Sequence, residues 1–509
     1  MTTIYLISPR AEPLAYFGAE IYAHSGFAGA QMVADLTMPT VAALIPADFH
    51  IRLCDEHLTP VDLDAPADIV ALTGKTSQAG RMLELADAFR RRGRIVVIGG
   101  PYASLSPDKV RPHCDVLVRG EIEGIAAALF DDLRAGTWKA EYVGEAADLA
   151  STPIPRWDLY PNDRALIGAV QTSRGCPFDC EFCDVPAYAG RRQRHKDPSQ
   201  VVAELDVLYG LGYRSVFLAD DNFTASRRRA KGLLTAIAAW NRTRPDGSMT
   251  FATQMSVDVA KDDEILGLCA QAGLAVAFVG LETPSEESLR ETGKRQNLDG
   301  DPIERINRLL EHGIMVISGL IVGFDADGPD IFDRQRRFVD SAPIPIFSLG
   351  ALVASSGSPL YDRMVQSGRL LAEHPYGTAQ PWSSNIIPQQ MSGEALLAGL
   401  RHLGNHIYSP QAFGDRMVAM LDRLGTACVG PAPVPNGESL VASRKALMRQ
   451  TAELIKHLAL SGPAEKAMVT RIGRHALRHR PQFLPLVQTC LRFYAQIRHV
   501  YRLTGFEPT

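Results

Sequence analysis

Residues 174–186 read RGCPFDCEFCDVP, which sets Cys176, Cys180 and Cys183 in a C-x3-C-x2-C pattern. Directly before it stands ALIGAVQTS (165–173), an apolar run of strand length. Five more such runs follow: RSVFLAD (214–220), MTFATQM (249–255), LAVAFVGLE (274–282), IMVISGLIVG (314–323) and IPIFSLGAL (344–352). Amphipathic stretches such as PSQVVAELDVLYGLG (198–212) and DDEILGLCAQAG (262–273) separate them. Strand–helix units in series predict a partial parallel (β/α)6 barrel, whose chemistry belongs at the carboxyl ends of its strands. The cysteine loop follows the first of these strands and so belongs at the barrel mouth.

Upstream, IYLIS (4–8), FHIRLCD (49–55), DIVALTG (68–74), RIVVIGG (94–100) and DVLVRG (115–120) read as buried strands. SQAGRMLELADAFRRRG (77–93) reads as a helix between two of them. This alternation predicts a doubly wound parallel sheet, which binds ligands beyond the carboxyl ends of its strands. The turns at Gly74, Gly99–Gly100 and Gly120 lie there. The expected plan is therefore α/β: a Rossmann-type domain over 1–145, a linker over 146–165, the barrel over 166–355, and a mainly helical region over 356–509. The linker contains STPIPRWDLYP (151–161) and is expected to lie on the surface of the barrel domain.

Composition narrows the class. The chain has 509 residues, a net charge of −4, 46% hydrophobic and 22% charged residues, which excludes a disordered or fibrous protein. Eight cysteines are too few for a disulfide scaffold, so a reduced, cytoplasmic protein is expected. The start, MTTIYLISPRAEP, lacks a basic region followed by a long apolar run, so no secretory signal is expected. Cys54, Cys114, Cys269, Cys428 and Cys490 are scattered in apolar contexts and read as small buried hydrophobes. Residues 441–503 carry 12 Lys and Arg against Glu453 and Glu465. Such a segment suits anionic lipid, nucleic acid or an acidic domain, or simply forms a solvated face.

Clustered thiolates are soft ligands for iron–sulfur clusters or zinc. Zinc would want a fourth ligand, and the nearest candidate, His195, sits twelve residues past Cys183 in a basic run. Three thiolates instead leave one iron of a [4Fe–4S] cluster open to a small molecule.

The triad and its setting resemble the radical S-adenosylmethionine (SAM) enzymes. That resemblance implies that SAM chelates the open iron and is cleaved to a 5′-deoxyadenosyl radical. It implies SAM contacts at Phe182, at Asp220 or Asp221, at Glu282 in GLET, and at Gly319 and Gly323 in GLIVG. The upstream domain resembles the cobalamin-binding domain of one branch, through VIGGPYAS (97–104) and VRGEIEG (118–124). This implies cobalamin near Gly74, Gly99, Gly100, Tyr102, Gly120 and Glu121. SPRAEPLAYFG (8–18), where a D-x-H-x-x-G segment would supply an axial ligand, contains no histidine, and His57 after the second strand lacks the glycine. Cobalamin is therefore expected without a lower-face histidine.

Longer stretches, including GLETPSEESLRETGKRQN (280–297), resemble the hopanoid C-2 methylases and their relatives. The resemblance implies methylation of an unactivated carbon in a small molecule or hopanoid-like lipid, with an electron donor such as flavodoxin or ferredoxin. A lipid substrate would go with peripheral membrane contact through the basic tail. The alternatives are a radical SAM enzyme that forms rings, oxidises or transfers another group, an RNA-modifying enzyme, and a non-catalytic iron–sulfur protein. No RNA-binding module is recognisable, so nucleic acid is not an expected partner.

Overall fold

The structure is a computed structural model that describes residues 2–11, 14–18, 20–21, 31–245, 247–371, 382–426, 449 and 452–507. Cys428 and the first part of the basic run lie outside these residues. The strands in chain order are β1 (Thr3–Ser8), β2 (Gln31–Val33), β3 (His50–Asp55), β4 (Ile69–Thr73), β5 (Ile95–Gly99), β6 (Val116–Gly120), β7 (Glu141–Gly144), β8 (Ala165–Val170), β9 (Ser173–Arg174), β10 (Arg194–His195), β11 (Ser215–Leu218), β12 (Thr250–Met255), β13 (Leu274–Glu282), β14 (Met315–Val322) and β15 (Ile346–Ala351). They form two large parallel sheets, in the α/β plan read from the sequence.

The first sheet has the order β3-β1-β4-β5-β6-β7. Alternate residues face two apolar layers, as strand geometry requires. Tyr5, Val70, Leu72, Val96 and Ile98 pack with Met82, Leu85 and Phe89 of helix Ala79–Arg90. Ile4, Ile69, Val97 and Val116 pack with Leu129, Phe130 and Leu133 of helix Ala126–Ala135 on the other face. The strand order reverses between β1 and β4, which is where such sheets open a ligand crevice.

The second sheet has the order β15-β14-β13-β12-β11-β8-β2 and curls into a partial barrel. Six of its strands are those read from the sequence. The seventh, β2, pairs Gln31 with Ala165 and Val33 with Ile167, so the chain crosses into this sheet before completing the first. Three residues are too few to show a period, which is why the sequence did not reveal this strand. In β13 and β14, Ala277, Val279, Val316 and Leu320 are buried under the outer helices. The register puts Gln254, Phe278, Gly280, Gly319 and Ser348 on the opposite, inner face.

The linker lies on the surface as expected, with Pro153, Ile154, Arg156 and Asp158 exposed, but Trp157 and Tyr160 anchor it in the core. Trp157 is 0% exposed and meets Tyr160 edge-on, with ring centroids 5.8 Å apart. Tyr160 Oη donates to Asp55 (2.9 Å) and accepts from Asp35 N–H (3.2 Å). Prolines marked the segment as irregular backbone, but two large aromatic surfaces anchor it.

Beyond the barrel the described residues are helical, apart from one bridge between Leu370 and Ile386. Helix Leu484–Leu503 lies against β15, and the early 14–21 segment lies on the helix. Phe17 packs edge-on to both Phe278 and Phe493, Tyr16 and Tyr501 share a 3.0 Å hydrogen bond, and Gln496 accepts from Ile21 N–H. Among the described residues no helix is long and apolar enough to cross a membrane. Replacing Trp157 with alanine should cost about 3–5 kcal/mol, read as an earlier midpoint in urea unfolding.

Candidate active site

The cysteine loop leaves the end of β8 and is pinched at its base by the antiparallel pair β9–β10. Cys180 is buried, while Cys176 and Cys183 are partly covered. Burial pushes the Cys176 thiol up, and Cys180 adds to it; Cys183 is pushed up to about 12 by burial, with Asp184, Cys180 and Cys176 adding. Three sulfurs thus lie in one another's field, and their thiolate forms need a cationic partner.

Among the described residues no three Cys, His, Asp or Glu groups are placed to hold a single metal ion. A zinc site needs sulfurs within roughly 4 Å of one another, given Zn–S bonds of about 2.3 Å. A cubane spreads its ligands over separate irons, so this donor set fits a [4Fe–4S] cluster with one iron left open. His195 lines a cleft with Thr172, Asp220 and Arg229.

The residues assigned to SAM fall into two groups. Asp220 is saturated within the fold: it accepts from Thr172 N–H (2.7 Å), Ser173 N–H (2.8 Å) and the Thr172 hydroxyl, although burial raises its pKa to about 6. Asp221 accepts from Gly175 N–H (2.9 Å) at the entrance to the cysteine loop. Gly323 donates its N–H to Asp327, and a Cβ there would meet Leu396 at 3.1 Å, so packing accounts for it.

Glu282, Gly319 and Phe182 gather with a lysine. Glu282 has φ 65°, the one positive φ outside glycine among the described residues. It sits where the β13–β14 register shifts. Backbone strain of this kind persists only when the surroundings enforce it. Here Gln335 donates to Glu282 O and Ile321 O, while Lys294 Nζ lies 2.7 Å from Glu282 Oε1. Lys294 also lies 5.8 Å from the Phe182 ring centre, and a Cβ on Gly319 would sit 3.4 Å from Glu282 Oε2. Burial works against the charge on Lys294, but Glu282 and Cys180 outweigh it and hold the ammonium protonated.

In the first domain, Gly100 has φ 95°, and a Cβ there would come within 2.6 Å of Thr73 Oγ1 and 3.2 Å of Gly74 N. The bare backbone closes a turn at the carboxyl edge, stapled by Tyr102 N–H to Gly74 O (3.1 Å). This turn lies next to the β1–β4 crevice, where doubly wound sheets bind their ligands. Gly99 only touches Val118, and Gly120 is required by its approach to the Gly144 carbonyl of β7. His57 is occupied at both nitrogens, by Asp55 (3.2 Å) and by Ala11 N–H (3.0 Å).

Glu121 does something else. Its carboxylate accepts from Arg174 (2.7 Å), from both terminal nitrogens of Arg194, and from Ala147 N–H (2.9 Å). Glu123 takes the other Arg174 nitrogen at 2.9 Å. Arg174 and Arg194 are the paired strands at the base of the cysteine loop, so two acids of the first domain hold that loop. On its other flank, Arg363 makes a two-point contact with Glu181, between Cys180 and Phe182, and bridges to Asp325.

A family model described as the Radical SAM superfamily matches residues 170–334. An uncharacterized methyltransferase of Synechocystis sp. is 34% identical over 430 residues, covering 82% of this chain and 78% of the relative. The chain belongs to the radical SAM superfamily. A hopanoid C-2 methylase of Rhodopseudomonas palustris is 33% identical over 339 residues, covering 65% of this chain and 64% of its own. The cobalamin-dependent SAM radical enzyme OxsB, solved with aqua-cobalamin bound, matches with a TM-score of 0.62 at 16% identity, covering 100% of this chain and 82% of OxsB. A domain of unknown function (DUF4070) matches residues 358–503.

Membership in the radical SAM methyltransferase family brings a [4Fe–4S] cluster and SAM, and the cysteine loop is built for both. What the sequence did not reveal in this radical SAM enzyme is the support: Lys294, Gln335, Arg174, Arg194 and Arg363. Lys294 carried a weak signal, since it stands twelve residues after Glu282 in the same motif stretch, GLETPSEESLRETGK (280–294). Glu121→Ala should cost about 3–5 kcal/mol by leaving Arg194 without a carboxylate and Arg174 with Glu123 alone. Burial alone would raise the Glu121 carboxyl, but Arg194 and Arg174 hold it below its ordinary 4.5. Its contribution is thus full above about pH 4.5 and lost as pH falls through the lower folded value. Melting curves from pH 7 to 3 should show the wild-type advantage over Glu121→Gln shrinking in acid.

Proposed function

We propose that this enzyme methylates an unactivated carbon of a small apolar molecule, a hopanoid-like lipid being the leading candidate, with cobalamin as methyl carrier. The observation that carries the reading is the Glu121–Arg174–Arg194 clamp, which joins the carboxyl edge of a doubly wound sheet to the cysteine loop. When bound, the cluster and SAM supply a hydrogen-abstracting radical and cobalamin supplies the methyl group.

The chain's own residues divide the remaining work. Cys176, Cys180 and Cys183 hold the cluster; Phe182, Asp221, Glu282, Lys294 and Gly319 form the SAM side. Gly74, Gly100 and Tyr102 would form the cobalamin side, and cobalamin would supply the methyl group there. Phe278, Ile317 and Ile346 on the inner face of the barrel, with Phe17 against Phe278, favour an apolar substrate and exclude water. We assign 1–145 to cobalamin, 166–355 to the radical chemistry and 356–509 to closure. Electrons come from a flavodoxin- or ferredoxin-type donor.

A lipid substrate calls for a bilayer contact. On helix Pro463–His479, Lys466, Arg474, Arg478 and Leu477 are exposed, and Leu460 precedes them. Cations interleaved with exposed leucines suit an anionic membrane surface. Cosedimentation with anionic but not neutral vesicles, weakened by Lys466→Glu with Arg474→Glu, is the expected result.

The direct test is iron and cobalt per chain after anaerobic expression with cobalamin supplied. About four iron and near one cobalt are expected. Four iron without cobalt would move the reaction to the alternative, radical SAM chemistry that does not use methylcobalamin.

A further inference from the structure

The segment over residues 292–297 is fastened at both ends to the catalytic machinery. Thr292 O accepts from Glu181 N–H (2.9 Å) in the cysteine loop. Asn297 Nδ2 donates to Gly280 O (2.9 Å) and Leu281 O (3.0 Å) at the end of β13. Between these anchors, Gln296 Nε2 donates to Cys180 Sγ at 3.6 Å. Gln296 also lines an open cavity of about 490 Å³ with Arg227, Lys261 and Arg295. Gln296 therefore meets both a cluster ligand and the cavity.

A hydrogen bond to a ligand sulfur stabilises the more negative, reduced cluster and raises its potential. A nearby cation acts in the same sense, but Lys294 is paired with Glu282, so much of its field is cancelled. The amide dipole of Gln296 has no such counterweight: its Oε1 is buried without a partner. A donor that bonds a ligand atom tunes a metal centre without touching the reacting atoms.

We propose that Gln296 is a positioning residue that sets the electron affinity of the cluster, through its N–H···S bond to Cys180. The proposal rests on the three-cysteine cluster and not on the identity of the substrate. It makes the cluster easier to reduce before SAM is cleaved.

The test is the midpoint potential of the reconstituted holoenzyme, from reductive titration followed by electron paramagnetic resonance without SAM. Gln296→Leu removes the donor. Its ratio of reduced to oxidised cluster at a fixed potential should fall about tenfold, equivalent to 59 mV for one electron. Gln296→Glu, nearly isosteric, sets a carboxylate against Cys180 and should lower the potential further. Midpoints unchanged in both variants, with full iron content, would overturn the proposal. Loss of iron in both would overturn it too, making the segment a structural cover. A wild-type chain that assembles no cluster would instead refute the cluster itself.

Discussion

The clamp between Glu121, Glu123, Arg174 and Arg194 is the contact on which the two-part site depends. Each sheet offers a carboxyl edge suited to a large ligand, but neither edge constrains the other. A loop carrying three thiols gains no directing information from β8 alone. The two arginines stand side by side at its base, where β9 meets β10. Two carboxylates from the turn after β6 take them both. Planar guanidinium groups accept only a few carboxylate geometries, so the contact fixes orientation as well as distance.

Such a contact is not primarily a source of stability. All four side chains are largely out of water, and the cost of desolvating them offsets much of their attraction. A hydrophobic contact of similar area would hold the domains together about as well, but would tolerate sliding. An ion pair with two-point geometry does not. The same logic applies to Arg363, which fixes the opposite flank of the loop from the helix Pro359–Gln366. Radical chemistry needs a dry and fixed site, and these struts sit outside the reacting zone.

Much of this was legible in the sequence, for local reasons. Six buried strands and the cysteine triad announce themselves over five to ten residues, and the family resemblance followed from them. The rest depends on partners far apart in the chain. Glu121 looked like a ligand residue because its turn resembles a cofactor turn, but its partners lie 53 and 73 residues downstream. Asp220 and Asp221 looked equivalent as neighbours at a strand end. Alternation along the backbone turns one into the strand-end network and the other toward the loop. Trp157 was hidden among prolines, and β2 was too short to have a period.

The central claim is methyl transfer by a radical route, and the most direct measurement follows both fates of SAM in one reaction. The anaerobic holoenzyme would be given SAM with a trideuterated methyl group, cobalamin and a strong reductant, and its products read by mass spectrometry. The account predicts trideuteromethyl-cobalamin with S-adenosylhomocysteine, alongside 5′-deoxyadenosine. Deoxyadenosine alone, with cobalamin left unlabelled, would contradict it.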